Sequence, residues 1–126
     1  AFLSFLNATL TPGVDLILDA VGFEQALAHE VNACEPLIVV TGEGRLDHQT
    51  AMGKAPVGVA RLAKKYGAKV IAFAGAVTKD AITCNDAGID AFFPIVREIT
   101  TLEEAMKPEN AKENLTATAE QVFRLL

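Results

Sequence analysis

The sequence has few of the residues that mark a disulfide-rich or thiolate-metal protein. Two cysteines, Cys34 and Cys84, and two histidines occur among its 126 residues, and neither CxxC spacing nor a histidine cluster joins them. A disulfide framework is therefore not indicated. We expect both cysteines to be reduced, partly buried thiols in a cytoplasmic protein.

Long apolar runs and positive charge are also scarce. No apolar run approaches the roughly 18 residues of a membrane-spanning helix, so no membrane partner is expected. The first residues, Ala-Phe-Leu-Ser-Phe-Leu, lack the basic flank and cleavage pattern of a signal peptide. The net charge is −5 without a basic run, so no nucleic-acid partner is expected. An anionic ligand would have to be bound by local donors.

The composition is that of an ordinary globular domain, with 51% hydrophobic and 21% charged residues. Before residue 36 the apolar spacing predicts helices near 2–10, 14–21 and 23–30, and a strand over 14–18 remains an alternative. The chain opens without Met and inside a helical pattern that no capping residue precedes. We therefore expect this sequence to be a piece of a longer protein.

From residue 37 onward, short apolar strands alternate with helices. Strands are predicted at 37–41, 69–74 and 91–95, and helices at 56–66, 80–87, 102–106 and from Pro108 onward. Gly67 is the expected left-handed residue after the first of these helices, and Thr101 with Glu104 forms a capping box. The alternation predicts an α/β fold over 1–126 as a single domain. We expect a three-layer unit with a mostly parallel, Rossmann-like sheet.

The most informative stretch follows the first strand. Polar and small residues are concentrated there, namely Gly42, Glu43, Gly44, Arg45, Asp47, Gln49 and Thr50. Ligands of open α/β sheets bind beyond the carboxyl ends of the strands. Glycines allow backbone N–H groups to approach a ligand, and Arg45 offers a fork of donors for phosphate or carboxylate. The stretch predicts an anion-binding loop.

Two familiar phosphate motifs do not fit this stretch. The segment from Gly42 begins like a dinucleotide fingerprint, but Asp47 occupies the place of the third glycine, which disfavours a nicotinamide cofactor. Gly53 and Lys54 end like a P-loop, but His48 replaces the leading glycine and Ala55 replaces the hydroxyl residue that binds Mg²⁺. A Walker-type nucleotidase is therefore disfavoured.

The remaining polar residues suggest phosphoryl chemistry. Glu43 and Asp47 could share a Mg²⁺ ion or accept a hydroxyl proton, and Arg45 with Lys54 could neutralise a phosphoryl group. Gln49 and Thr50 could orient an alcohol substrate. Gly75, Thr78 and Lys79 follow the second strand and are expected at the same edge of the sheet. Equally open is a structural interpretation in which Asp47 or Thr50 caps a helix and Glu43–Arg45 is a solvated pair. His48 is more often a loop residue than a catalytic one.

The pattern VTGEGRLDxQTxxGKAPxGVA at 40–60 resembles the signature of the type I (bacterial) glycerate kinase family. Similar segments occur at 12–16, 74–77, 88–91, 101–105 and 113–121. The family's initial strand, its Asp-Ser-Phe-Lys-Gly segment and its glycine-rich stretch have no counterpart here. The resemblance therefore implies the C-terminal portion of a larger two-domain kinase.

The resemblance also implies an activity, namely transfer of the ATP γ-phosphate to a hydroxyl of D-glycerate, usually giving 2-phosphoglycerate, with Mg²⁺. On this basis the candidate catalytic residues are Asp47, Arg45 and Glu43. The candidate substrate- or phosphate-binding residues are Gly42, Gly44, Gln49, Thr50, Lys54 and Gly75. The fragment alone is expected to be inactive, and a homo-oligomer is left open. The alternative is a non-catalytic sugar-acid or nucleotide-binding module.

Overall fold

The computed structural model describes residues 37–126. The helices predicted within residues 1–36, and the thiol Cys34, lie outside the described residues. Three strands form one sheet in the order β1-β2-β3. They are β1 (Ile38–Leu46), β2 (Lys69–Val77) and β3 (Ala91–Pro94). Both neighbouring pairs are parallel, which confirms the predicted parallel sheet.

Helices connect and cover the strands. In chain order they are α1 (His48–Ala51), α2 (Ala55–Lys65), a 3-10 turn (Lys79–Ile82), α3 (Thr83–Asp86), α4 (Leu102–Ala105) and α5 (Pro108–Phe123). No helix within residues 37–126 is long and apolar enough to cross a membrane.

Helix α2 begins and ends as the sequence predicts. Pro56 is buried in its first turn, where the missing N–H costs no hydrogen bond. Gly67 follows the helix with φ +71°, a backbone conformation that side chains disfavour, and its N–H donates to the Lys64 carbonyl. The chain can therefore turn sharply from α2 into β2.

The sheet has a hydrophobic core on each face. On one face, Val57 and Ala60 of α2 pack with Val39 and Val70 of the strands. Burial of such aliphatic side chains stabilises the fold by roughly 1.5–3 kcal/mol for each residue of valine size or larger. Helix α2, which follows β1 and precedes β2 in the chain, therefore covers this face of the sheet.

The opposite face is covered by the final helix. Leu115, Ala119 and Val122 of α5 pack with Val40 and Phe73. Their spacing along α5 places them on one side of the helix, as the predicted apolar stripe requires. Two helical layers therefore enclose the sheet, and the predicted three-layer α/β fold is confirmed.

The strands are longer than the sequence indicated. The predicted first strand ended at Thr41 and gave way to a loop, but β1 continues through the polar stretch to Leu46, paired with Val77. Pairing with β2 outweighs the low strand propensity of the glycines and charges. The prediction of a loop was therefore wrong over 42–46, and the turn begins only at Asp47.

Smaller differences affect other elements. Strand β2 extends past Ala74 to Val77 for the same reason as β1. The predicted helix at 80–87 is a 3-10 turn followed by the short helix α3. Helix α5 ends at Phe123, so Leu126 lies beyond the apolar stripe and is exposed.

Candidate active site at the carboxyl edge of the sheet

A cleft of about 840 Å³ opens where β1 and β2 end. It is lined by Arg45, Asp47, His48, Gln49, Thr78, Lys79 and Asp80. The first four residues surround the start of α1, and the last three lie at the beginning of the 3-10 turn. Parallel strands bring their carboxyl ends to one edge, so two segments far apart in sequence line the same cleft.

Asp47 caps helix α1 through reciprocal bonds with Thr50. The Thr50 N–H donates to Asp47 Oδ1 at 3.1 Å, and the Asp47 N–H donates to Thr50 Oγ1 at 3.2 Å. Thr50 Oγ1 also lies 3.4 Å from the Arg45 carbonyl oxygen, and its side chain is fully buried. The structural interpretation of Asp47 and Thr50 as capping residues is therefore confirmed, and this capping box fixes the turn between β1 and α1.

Asp47 also contacts Arg45. Arg45 Nε lies 3.5 Å from Asp47 Oδ2, with 66% of the arginine side chain and 18% of the aspartate side chain exposed. The guanidinium makes no other hydrogen bond or ion pair to a residue within 37–126. Most of its N–H donors are thus directed to solvent in the cleft, while the carboxylate limits the orientation of the side chain.

The opposite wall is held against β1. The Thr78 N–H donates to the Leu46 carbonyl oxygen at 3.0 Å, and Thr78 Oγ1 lies 3.2 Å from the same oxygen. The Thr78 hydroxyl also hydrogen-bonds to the Asp80 carboxylate. This hydroxyl and the backbone N–H of His48 hold the pKa of Asp80 below its usual value. Asp80 is therefore an ionised carboxylate facing the cleft at neutral pH.

Cys84 lies behind this wall. Its Sγ is 3.6 Å from the Asp47 carbonyl oxygen, and the residue is free and buried. Burial raises the pKa of the Cys84 thiol, and the negative charges of Asp47 and Asp80 raise it further. Cys84 was expected to be partly buried and is fully buried, and the raised pKa makes its thiol a poor nucleophile.

The cleft gathers some of the predicted site residues but not others. Arg45, Asp47 and Gln49 lie in its lining, and Thr50 is buried beneath them. Lys54 is exposed at the N-cap of α2, outside this lining. Glu43 lies earlier on β1, where its Oε1 accepts a hydrogen bond from the N–H of Gly44 at 3.0 Å. Gly42 is likewise a residue of β1, paired with Phe73.

The predicted ligand-binding residue Gly75 has an evident structural role. A Cβ atom at this position would lie 2.8 Å from the carbonyl oxygen of Gly44, closer than a side chain tolerates. Side chains along a regular strand alternate between the two faces of the sheet, so residues an odd number of positions apart should face opposite sides. Val39 and Leu46 are seven positions apart on β1 and yet pack in the same core cluster, so the alternation is interrupted between them, where Gly44 lies. Gly75 is therefore needed for strand packing, whatever ligand it contacts.

Sequence reasoning missed part of the site. Thr78 and Lys79 were placed at the correct edge but not among the predicted site residues, and Asp80 was taken only as the start of a helix. His48 was interpreted as a loop residue, yet it also lines the cleft. Thr78, Lys79 and Asp80 lie directly after β2, and His48 lies just after β1. These positions are the signal that could have found all four, because ligands bind at the carboxyl ends of parallel strands.

Together the lining residues suit an anionic ligand. Arg45 and Lys79 supply positive charge, Gln49 and His48 supply polar groups, and two carboxylates lie beside them. No group of three or more His, Cys, Asp or Glu residues within 37–126 could hold a metal ion by itself. Such a site can bind charged oxygens and stabilise negative charge that develops during a reaction.

Comparison with known proteins identifies one family. The model of the glycerate kinase family matches residues 1–126. The glycerate kinase of Bacillus subtilis (strain 168) is 40% identical over 122 residues, which cover 97% of this chain and 30% of that protein. The glycerate 2-kinase of Escherichia coli (strain K12) is 38% identical over 123 residues, which cover 94% of this chain and 31% of that protein.

A solved structure agrees with these relatives. It is described as a candidate glycerate kinase 2 from Salmonella typhimurium LT2, and it is 42% identical with a TM-score of 0.52, covering 82% of this chain and 24% of its own. The present chain therefore spans about 30% of the length of the curated relatives it matches. Because the family match extends over residues 1–126, the chain belongs to the glycerate kinase family.

Proposed function

We propose that this chain is the C-terminal portion of a two-domain cytoplasmic glycerate kinase. The complete protein would transfer the γ-phosphate of ATP to a hydroxyl of D-glycerate, giving 2-phosphoglycerate. The observation that carries the proposal is the cleft with Arg45 and Lys79 at the carboxyl edge of the sheet, in a chain whose relatives are glycerate kinases. Phosphoryl transfer needs chiefly positioning and positive charge, and these residues offer both.

Arg45 is the central residue of this proposal. Its exposed guanidinium can donate two parallel hydrogen bonds to a phosphate or to the glycerate carboxylate. The contact with Asp47 holds the side chain in place before the ligand arrives, which lowers the ordering cost of binding. Lys79 adds a second positive charge from the opposite wall.

Asp47 remains the first candidate for the general base. Its Oδ1 is engaged by Thr50 and its Oδ2 faces Arg45, so Oδ2 is the oxygen closest to a ligand held by the guanidinium. A general base must lie within hydrogen-bond reach of the hydroxyl that it deprotonates. Glu43 is the second candidate, since its carboxylate lies outside the cleft lining and is partly engaged by the Gly44 N–H.

The cleft also fits Mg²⁺. This ion is usually held by one or two carboxylates together with substrate phosphates, and Asp80 supplies a carboxylate beside the two cationic residues while Asp47 is kept as the candidate base. When bound near Asp80, Mg²⁺ would supply positive charge that partly neutralises the phosphate. The low pKa of Asp80 keeps that carboxylate ionised for such a role.

The remaining predicted residues have supporting parts. We infer that the exposed Gln49 orients the glycerate and that Thr50 acts as a positioning residue through Asp47. We further infer that Gly42 and Gly44 allow a ligand to approach the backbone of β1 and that Lys54 contacts it through its ammonium group.

The proposal is tested with the complete protein that contains this chain. ADP release in the presence of ATP, Mg²⁺ and D-glycerate should depend on both substrates, and phosphorus NMR should identify 2-phosphoglycerate as the product. Calorimetric binding of both ligands without ADP release would favour the non-catalytic module. Absence of binding and of any ligand effect on the melting temperature would leave only a structural domain.

A further inference from the structure

A second cavity lies on the other side of the strand ends. It has a volume of about 560 Å³ and is lined by Gly44, Gly75, Ala76, Ile95, Val96, Thr100, Thr101, Leu102, Ala105, Met106, Ala111 and Asn114. Its size falls in the range of about 300–1,000 Å³ typical of small-molecule sites. Residues from the ends of β1 and β2 and from the segment after β3 form its floor, and α4 with the start of α5 forms its wall.

The lining has the character of a site for a flat, weakly polar group. Most of it is apolar, and Leu102 and Met106 remain exposed at its margin. A Cβ atom at Gly44 would meet nothing within 4 Å, so open space lies directly beside the backbone of β1. An aromatic ring could therefore lie against the glycine backbone and contact the Met106 thioether, which adapts well to ring surfaces.

Residues that are close in sequence at the end of each strand line the apolar cavity and the charged cleft. Gly44 lines the cavity and the next residue, Arg45, lines the cleft. On the neighbouring strand, Ala76 belongs to the cavity, and Thr78 and Lys79 belong to the cleft. A ligand that crosses the strand ends at this point could place an apolar ring on one side and anionic groups on the other.

Charge favours one orientation of such a ligand. A smaller cavity of about 250 Å³ shares Val96, Thr100, Ala105 and Asn114 with the apolar cavity and is also lined by Glu98, Glu104 and Glu113. These carboxylates would repel phosphates from that end, whereas Arg45 and Lys79 attract them to the other. The Asn114 amide, which makes no hydrogen bond to another residue within 37–126, can pair with the edge of a base.

We propose that the apolar cavity binds the nucleobase of an adenine nucleotide whose phosphates lie in the charged cleft. The identity of the nucleotide rests on the proposed kinase function, whereas the geometry requires only a ring joined to an anion. The ring would contact the backbone at Gly44 and Gly75 and the side chain of Met106, and Asn114 would donate to or accept from its polar edge.

The test compares ATP with inorganic tripolyphosphate, which carries the phosphates but no base. Both are titrated calorimetrically into the complete protein and into its Ala105→Phe variant, in which the new ring fills the cavity. The ATP affinity of the variant should fall by about tenfold or more, and the tripolyphosphate affinity should change by less than about twofold. The matched Gln121→Phe variant introduces the same ring on the exposed side of α5, outside both cavities, and should bind both ligands as the unchanged protein does.

A second variant protects the test against misfolding of Ala105→Phe. Asn114→Leu has a similar volume and removes the amide, so it should weaken ATP binding and leave tripolyphosphate binding unchanged. Equal losses for both ligands, or unchanged ATP affinity in folded variants, would overturn the proposal. Unchanged ATP affinity together with a lower melting temperature would assign the cavity to a segment of protein instead.

Failure of this inference is distinguishable from failure of the kinase proposal. If the cavity variants lose affinity for ATP but not for tripolyphosphate, and the unchanged protein releases no ADP with D-glycerate, the kinase proposal fails and the base site stands. If turnover occurs and the cavity variants retain their ATP affinity, the kinase proposal stands and the base site is overturned.

Discussion

Two ion pairs at opposite edges of the same sheet differ in what they leave available. At the carboxyl edge, Arg45 contacts Asp47 with 66% of the arginine side chain exposed. At the amino edge, Lys64 pairs with Asp90, and their side chains are 39% and 37% exposed. The first pair keeps most of its donors open to the cleft, whereas the second is surrounded by partners.

The partners of the second pair are backbone groups. The Val70 N–H donates to Asp90 Oδ2 at 2.7 Å, and Lys64 Nζ also donates to the Ala68 carbonyl oxygen at 3.1 Å. These bonds join the end of α2 to the beginning of β2 and to the segment before β3. The comparison indicates that the Lys64–Asp90 pair, whose charged groups also bond to the backbone, stabilises the fold. Arg45, which contacts one carboxylate, has donors left for a ligand.

The largest effect is expected from Arg45→Ala in the complete protein. Removing the guanidinium should lower kcat by about a hundredfold or more, because the positive charge that opposes the developing phosphoryl charge is lost. Steady-state assays of ADP release give the ratio. The matched control is Arg61→Ala, an exposed arginine of α2 outside the cleft lining, which should retain normal turnover. Normal rates in the Arg45 variant would remove it from the site.

A smaller loss of activity is expected from Thr50→Val. This substitution preserves the buried volume but removes the hydroxyl that accepts a hydrogen bond from the Asp47 N–H, so half of the capping box is lost and that N–H is left unpaired, at a cost of about 1–2 kcal/mol. Since the turn that carries Asp47 would be held less firmly, kcat should fall by about tenfold. Thr50→Ser retains the hydroxyl and should behave nearly normally in kinetic and thermal unfolding measurements. Equal kcat values for the Thr50→Val and Thr50→Ser variants would show that the capping box does not position the site.

The second ion pair should affect stability and leave catalysis intact. Asp90→Ala removes the acceptor of the Val70 N–H, a loss of about 1–2 kcal/mol in the free energy of unfolding. Thermal unfolding should show a lower midpoint, while kcat per folded molecule stays the same. A fall in kcat without a fall in stability would reverse the roles assigned to the two pairs.

The smallest effect is a pH dependence of that stabilisation. Partial burial alone would raise the pKa of Asp90, but the hydrogen bonds from Lys64 and the Val70 N–H and the charges of Lys64 and Lys69 leave it below its usual value. A carboxyl with a lowered folded-state pKa stabilises the protein above its unfolded-state pKa of about 3.9, and this contribution disappears as the pH falls through the folded value. The melting-temperature advantage over Asp90→Asn should therefore be present at pH 7 and shrink toward pH 3. A melting-temperature difference that stays the same from pH 7 to pH 3 would contradict this prediction.

The elements that could be predicted from the sequence are those with local signals. Gly67 after α2, Pro108 at the start of α5 and the apolar stripe around Leu115 each act through their immediate neighbours, and each was placed correctly. The alternation of strands and helices likewise gave the parallel, three-layer fold. These features depend on local conformation and on hydrophobic periodicity, which a single sequence contains.

The features that were missed depend on contacts between distant segments. The extension of β1 to Leu46 requires its pairing with β2, and the same pairing brings Lys79 and Arg45 to the lining of one cleft. The close approach of Gly75 to the Gly44 carbonyl is also invisible in sequence spacing. Local propensity therefore gave residues 42–46 the wrong conformation and left the opposite wall of the cleft incomplete.

The most direct test of the charged cleft is ligand binding to the Arg45→Ala variant of the complete protein. Calorimetric titrations with ATP and Mg²⁺ and with D-glycerate should show at least one affinity reduced by about tenfold or more, while the Arg61→Ala control binds both normally. Unchanged affinities for both ligands in a folded Arg45→Ala protein would contradict the claim that this cleft binds an anion through Arg45.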